Sequence, residues 1–116
     1  MQYSDSDMSY LYDMYTYSLD IVNATKDKKF YHFENDKMLR LAVERCFEIL
    51  GVAATKLSDE ARESMTNIPW RSIIGLRNII AHEYGEVKLS KIWDFSQTVV
   101  PEFVKELEKI NGLNAK

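Results

Sequence analysis

Residues 69–85 read PWRSIIGLRNIIAHEYG, and the fold turns on how that stretch is read. Pro69 suits the first position of a helix, where its missing N–H costs nothing. Asn67 offers a cap region just before it, and Gly85 is placed to end it. Ile73, Leu76 and Ile80 stand at three- and four-residue steps, the spacing of one helical face. Arg77, Asn78, His82 and Tyr84 interrupt the apolar run. At ~100° per residue, with Arg77 as zero, Asn78 falls at about 100°, His82 at about 140° and Tyr84 at about -20°. The four groups form a polar arc nearly half the helix wide, with Arg77 and Tyr84 sharing one face. Asn78 and His82 are an i, i+4 pair within hydrogen-bonding reach.

The flanking segments repeat the helical period. Met8, Leu11, Tyr12, Tyr15, Leu19 and Val22 make one stripe, with Ser4, Asp5 and Ser6 as candidate caps; NATKDKK, residues 23–29, ends that helix. A second helix is predicted from about residue 35 or 36, its core face being Leu39, Ala42, Val43, Cys46, Phe47, Leu50, Ala53 and Leu57. Gly51 is unfavourable inside it and points to close approach by a neighbouring helix. A helical turn is expected after Ser58. The last helix should cover roughly 89–110, through Leu89, Ile92, Trp93, Val99, Val100, Phe103, Leu107 and Ile110, with a kink at Pro101. Nothing alternates with strand period. The predicted fold is all-α, an up-and-down bundle of four to five helices, in one domain over residues 1–116.

Composition narrows the function. The chain has 116 residues, a net charge of -3, one cysteine and two histidines. An acidic balance argues against a protein that coats nucleic acid, while leaving room for a local site that holds one phosphate. No Cys/His metal cage can be assembled, and no cofactor is expected. Cys46 reads as a buried small hydrophobe in a reducing compartment. No apolar run reaches the ~20 residues of a membrane span, and MQYSDSDMSY is unlike a secretory signal; a cytoplasmic protein without membrane contact is expected.

The polar arc has the parts of a phosphate-handling site. Arginine presents a planar, permanently charged fork that fits a phosphate, and histidine moves protons near neutral pH. Together they suit RNA cleavage without a metal, with Asn78 orienting the imidazole. The spacing alone leaves a plainer reading open, in which these residues satisfy one another or His82 favours the helix dipole. Arg40 with Glu44 reads as a surface i, i+4 pair, and Glu44 with Glu48 as solvated carboxylates rather than a catalytic pair. Lys105 and Lys109 fall on a solvated face, and His32 reads as a loop or capping residue. The tyrosines of the first helix are assigned to core and dimer packing, except Tyr10 and Tyr17, which lie off the stripe and suit a partner protein or stacking on bases, the partner being the better reading.

The string R-x4-H-x-Y, with Asn after the Arg and IPWRSIIGLRN around it, closely resembles the HepT-like family of the HEPN superfamily. LRLAVERCFEILGVAATKLSDE and IWDFSQTVVPEFVKELEKI resemble the same family's second and last helices, so the likeness covers roughly residues 33–110. The resemblance implies a HEPN-like helical bundle that dimerises so that two Arg–His motifs line one cleft. It implies that Arg77 and His82 are the catalytic pair of a ribonuclease, with Asn78 as the polar residue after the Arg. Tyr84 matches the tyrosine that a partner nucleotidyltransferase modifies with AMP in this family's toxin–antitoxin pairs. The chain departs from the family at Gly51-Val52-Ala53, where Gly-Glu-Ala is usual.

The expectation is therefore the toxin of a type VII (HEPN/MNT) toxin–antitoxin system. It is a homodimeric, metal-independent endoribonuclease that cleaves RNA with Arg77 and His82. A cognate MNT-type nucleotidyltransferase antitoxin silences it by adding AMP at Tyr84. The alternative is a non-catalytic nucleotide-binding or accessory subunit of a nucleotidyltransferase, toward which the acidic charge and Val52 both lean.

Overall fold

The computed structural model describes residues 3–83, 85–110 and 112–113. Among these residues the chain forms α1 (Asp5–Thr25), α2 (Phe30–Asn35), α3 (Lys37–Lys56), α4 (Asp59–Glu63), α5 (Trp70–His82) and α6 (Gly85–Glu108), and no strand. The four long helices make the predicted all-α bundle. α3 is central, packed on α1 at one side and α5 at the other, while α6 closes against α1. α5 touches α6 only slightly, so it is an edge helix held mainly by α3.

Capping residues set the starts. The Ser4 hydroxyl accepts the Asp7 N–H at 3.1 Å, Asp36 accepts the Leu39 N–H at 3.0 Å, and Ser58 accepts the Ala61 N–H at 3.1 Å. Each satisfies a donor that the first turn of a helix leaves open. Ser58 also donates its N–H and its hydroxyl to the buried Asp7 carboxylate, at 2.9 and 2.6 Å. The start of α1 is thereby fastened to the corner between α3 and α4. Tyr15 donates to Glu108 at 2.9 Å, so the middle of α1 also meets the end of α6. These ties, with short connections between them, make the long helices alternate in direction.

The core is one apolar cluster, with Leu11, Met14 and Ile21 from α1, Val43, Phe47 and Leu50 from α3, Leu76 from α5, and Ile92, Val100 and Phe103 from α6. Tyr10 and Tyr17 are half-buried and pack in part against this cluster. Ala42, assigned to the core stripe, is exposed; the stripe of α3 turns inward at Val43 instead. The helical turn expected after Ser58 is α4.

Two stretches differ from expectation. α2 occupies residues that the sequence reading left as a lead-in to the second long helix. Phe30 and Phe33 pack against Trp93, with ring centroids 6.4 and 5.5 Å away, and the backbone N–H of Lys29 donates to Nδ1 of His32 at 2.8 Å. His32 is thus a capping residue, as predicted. The second difference is the joint between α5 and α6. α5 ends at His82, Glu83 is extended (φ -98, ψ 158), and α6 begins at Gly85, whose φ of +63 is left-handed. A glycine adopts that conformation without penalty, so it opens the last helix rather than ending the one before. α6 then passes Pro101 as one helix, the ring removing the bond that the Gln97 carbonyl would have received.

Candidate active site in the cleft between α3 and α5

α5 buries a narrow stripe, Ile73, Leu76 and Ile80, against its neighbours. Its other side carries Arg77, Asn78 and His82, all exposed. What fixes Arg77 is Gly51. A Cβ built on Gly51 would lie 2.7 Å from both Cγ and Cδ of Arg77, and 3.6 Å from the Ile73 carbonyl oxygen. The alkyl stem of Arg77 therefore lies across the bare backbone of α3, a position that no residue other than glycine would leave free. The close approach expected at Gly51 is real, and the arginine of the motif is what makes it.

Arg77 and Asn78 line an open cleft of about 670 Å³ with Glu44 and Glu48 of α3 and Ala81 of α5. Among the described residues Arg77 makes no ion pair or hydrogen bond. Its guanidinium is an exposed planar cation with its donors available, the state that suits capture of a phosphate. His82 stands at the end of α5, one turn beyond Asn78, and is not part of the cleft wall. Asn78 and His82 do not hydrogen-bond to one another in this chain. The chain thus brings Arg77 and Asn78 together and leaves His82 outside the cleft lining.

Tyr84 lies outside the described residues. The angle that placed it on the face of Arg77 assumed a continuous helix, and α5 ends at His82 with Glu83 extended, so that angular argument no longer applies.

One carboxylate was misread from the sequence. Glu44 does not pair with Arg40. Its Oε1 is 3.0 Å from Nζ of Lys88 on α6, with side-chain exposures of 15% for Glu44 and 21% for Lys88. Arg40 instead donates to the backbone carbonyl of Glu34, at the end of α2. Glu44 and Glu48 both line the cleft; Glu44 is largely buried, while Glu48 keeps 42% of its side chain exposed, as expected of a solvated carboxylate. Glu48 has one ion-pair partner, Arg45, at 3.4 Å. Val52, where the family usually has Glu, is partly exposed and does not line the cleft. Glu44 lies within one turn of residue 48, so the cleft holds two carboxylates despite Val52. The signal that could have found them is Gly51: once Arg77 is placed over it, the α3 residues one and two turns earlier must border the same cleft. Since Gly51 meets Arg77 while Glu44 meets Lys88, just past the end of α5, the two helices run in opposite directions.

Among the described residues no three His, Cys, Asp or Glu side chains are grouped to hold a metal ion, and no helix is long and apolar enough to cross a membrane. Cys46 is half-buried, and burial first, then the charge of Asp20, pushes its thiol above the ordinary range. That favours an unreactive thiol.

The family model described as "Ribonuclease HepT-like" matches residues 14–110. The chain belongs to the HepT-like ribonuclease family. A protein of Methanocaldococcus jannaschii that carries the name "Putative RNase MJ0125" is 37% identical over 102 residues, covering 88% of each chain. One of Caldanaerobacter subterraneus named as an RNase, TTE0752, is 33% identical over 90 residues, 78% of this chain and 80% of its own. A Thermococcus cleftensis protein named as a ribonuclease HepT is 28% identical over 86 residues, 74% of this chain and 78% of its own. No solved structure gives a significant match. In this HepT-like chain, membership makes the enzyme class that of a ribonuclease, and the motif residues stand on the exposed side of an edge helix.

Proposed function

We propose that this HepT-like chain, as one domain over residues 1–116, is the toxin of a type VII (HEPN/MNT) toxin–antitoxin system. In this reading it is a metal-independent endoribonuclease, active as a homodimer and silenced by AMP addition at Tyr84. The observation that carries the reading is Arg77, a cation without a partner among the described residues, lying over Gly51 in an open cleft with Asn78 beside it. Arg77 binds the scissile phosphate and stabilises the charge that grows on its oxygens. His82 transfers a proton, and Asn78 orients the reacting groups. These residues supply charge and proton transfer themselves, so no metal is required.

The position of His82 supports the dimer. It lies outside the cleft of its own chain, and a second copy facing α5 brings an Arg–His pair from each subunit to a shared groove. Met38, Leu41 and Val52 expose 73%, 49% and 37% of their surface. At helical spacing they share one face of α3 beside the cleft, with the charged Arg45 and Glu48 between Leu41 and Val52, a face that a second copy would cover. In this reading the AMP added to Tyr84 is a bulky anion that silences the enzyme by blocking the cleft and competing for Arg77.

The test is cleavage of single-stranded RNA by the purified protein in excess chelator. The wild type is expected to leave 2′,3′-cyclic phosphate and 5′-hydroxyl ends, and Arg77→Ala and His82→Ala each to lose roughly 10²- to 10⁴-fold. Co-expression with a cognate nucleotidyltransferase and ATP should add AMP units to the intact mass, and Tyr84→Phe should abolish them. Absence of cleavage, with saturable nucleotide binding lost in Arg77→Ala, would instead establish the accessory-subunit alternative.

A further inference from the structure

Cleavage of RNA through its own 2′-hydroxyl moves two protons, one off the attacking oxygen and one onto the leaving oxygen, so an efficient site needs a base and an acid. The motif supplies one histidine per chain. The other, His32, has Nδ1 committed as the acceptor of the Lys29 N–H at 2.8 Å. The cleft contributes two carboxylates, and their surroundings differ. Glu44 is 15% exposed and its Oε1 is held by Lys88 at 3.0 Å. Glu48 is 42% exposed, and its partner Arg45 is 3.4 Å away and 70% exposed. An exposed pair of that length restrains a carboxylate weakly. Glu48 precedes Gly51 by about one helical turn, so it borders the cleft next to the residue over which Arg77 lies.

We propose that Glu48 is the catalytic base of this site, a role that rests on the ribonuclease reading above. Its carboxylate takes the proton of the 2′-hydroxyl as the O2′–P bond forms. Charge on the non-bridging phosphoryl oxygens is held by Arg77. The P–O5′ bond breaks, and O5′ takes the proton of the His82 imidazolium. The products are a 2′,3′-cyclic phosphate and a 5′-hydroxyl, and solvent exchanges the two protons to restore the starting state. Glu44, tied to Lys88, contributes the wall behind. The rival arrangement uses the two His82 residues of a dimer, one as acid and one as base.

A substrate with sulfur in place of O5′ separates the two, because a thiolate leaves without being protonated. The wild type, Glu48→Gln, His82→Ala and Arg77→Ala are compared on matched oxygen and sulfur oligonucleotides in chelator. Glu48→Gln is expected to lose roughly 10²- to 10⁴-fold on both substrates. His82→Ala loses as much on the oxygen substrate and returns to the wild-type rate on the sulfur one. The assignment is overturned if Glu48→Gln cleaves the oxygen substrate at the wild-type rate. It is equally overturned if sulfur rescues Glu48→Gln, which makes Glu48 serve the leaving group, or if His82→Ala stays slow on sulfur, which makes His82 the base. Full activity of Glu48→Gln beside inactive Arg77→Ala and His82→Ala removes the base alone. An inactive wild type removes the ribonuclease reading and this proposal with it.

Discussion

Gly51 of α3 lies beneath the alkyl stem of Arg77 of α5, so closely that a methyl group there would come within 2.7 Å of two carbons of the arginine. The contact joins a structural residue to the arginine proposed to bind the phosphate. It holds the guanidinium in the cleft without engaging any of its donors, which is the pre-organisation that electrostatic catalysis requires.

Gly51→Ala is therefore expected to separate stability from activity. Helix propensity alone favours alanine by roughly 0.5–1 kcal/mol, which offsets part of the strain of displacing the Arg77 stem. A misplacement of about 1 Å at a reacting group can cost on the order of 100-fold in rate. Cleavage should fall by about 10- to 100-fold, with a thermal midpoint within a few degrees of wild type. An unchanged cleavage rate in a folded Gly51→Ala protein would show that the stem's position is immaterial.

The Glu44–Lys88 pair spans α3 and α6 with both side chains largely buried. Exposed pairs contribute about 0–1 kcal/mol and breaking a buried pair costs about 3–5. A double-mutant cycle of Glu44→Gln and Lys88→Met should give a coupling between these limits, about 1–2 kcal/mol. The coupling should survive high salt in large part, since water is excluded from much of the pair. A coupling that vanished at 1 M salt would place the pair with ordinary surface contacts.

How far the sequence carried is visible in these residues. Ile73, Leu76 and Ile80 repeat at helical spacing, and they are what α5 buries. Gly51 announced a close approach, but a lone glycine does not name its partner. Glu44 was misassigned because the i, i+4 rule sees only its own helix, whereas Lys88 arrives from another. α2 was missed because a six-residue helix is too short to display a period, and two phenylalanines packing on Trp93 create it. The joint at Glu83 and Gly85 depends on backbone angles, which residue spacing along an assumed helix cannot report.

Asp7 predicts an acid-sensitive clamp. The Ser58 hydroxyl chiefly holds its carboxyl below the ordinary value of 3.8, assisted by the Ser58 N–H and opposed by burial. A depressed value means that the charged form is favoured in the folded chain, so the stability it lends is present above pH 3.8 and lost as pH falls through the lower folded value. Asp7→Asn should cost roughly 1–2 kcal/mol at pH 7, as expected for losing a charged partner of a capping residue. Urea unfolding of both proteins should show the gap narrowing toward pH 2. A gap independent of pH would mean that shape, rather than charge, carries the contact.

Trp70 predicts how firmly the site helix is anchored. Its Nε1–H is shared between the carbonyl oxygens of Arg62 and Met65, at 3.0 and 3.1 Å, and its ring meets Phe103 edge-on at 5.7 Å. The first residue of α5 thus closes the end of α4 and packs into the core at once. Trp70→Phe keeps an aromatic ring and removes the donor; the Arg62 carbonyl keeps the Met65 N–H and the Met65 carbonyl keeps the Ile68 N–H, so the loss is that of one shared hydrogen bond, about 1 kcal/mol. Arg77 lies about two turns further along α5 and is fixed by Gly51, not by Trp70. The substitution should therefore speed hydrogen exchange at the end of α4 while leaving RNA cleavage within about 3-fold of wild type, since that difference is under 1 kcal/mol of barrier. If cleavage collapsed along with the exchange protection, the placement of Arg77 would depend on the whole of α5 and not on the local contact with α3.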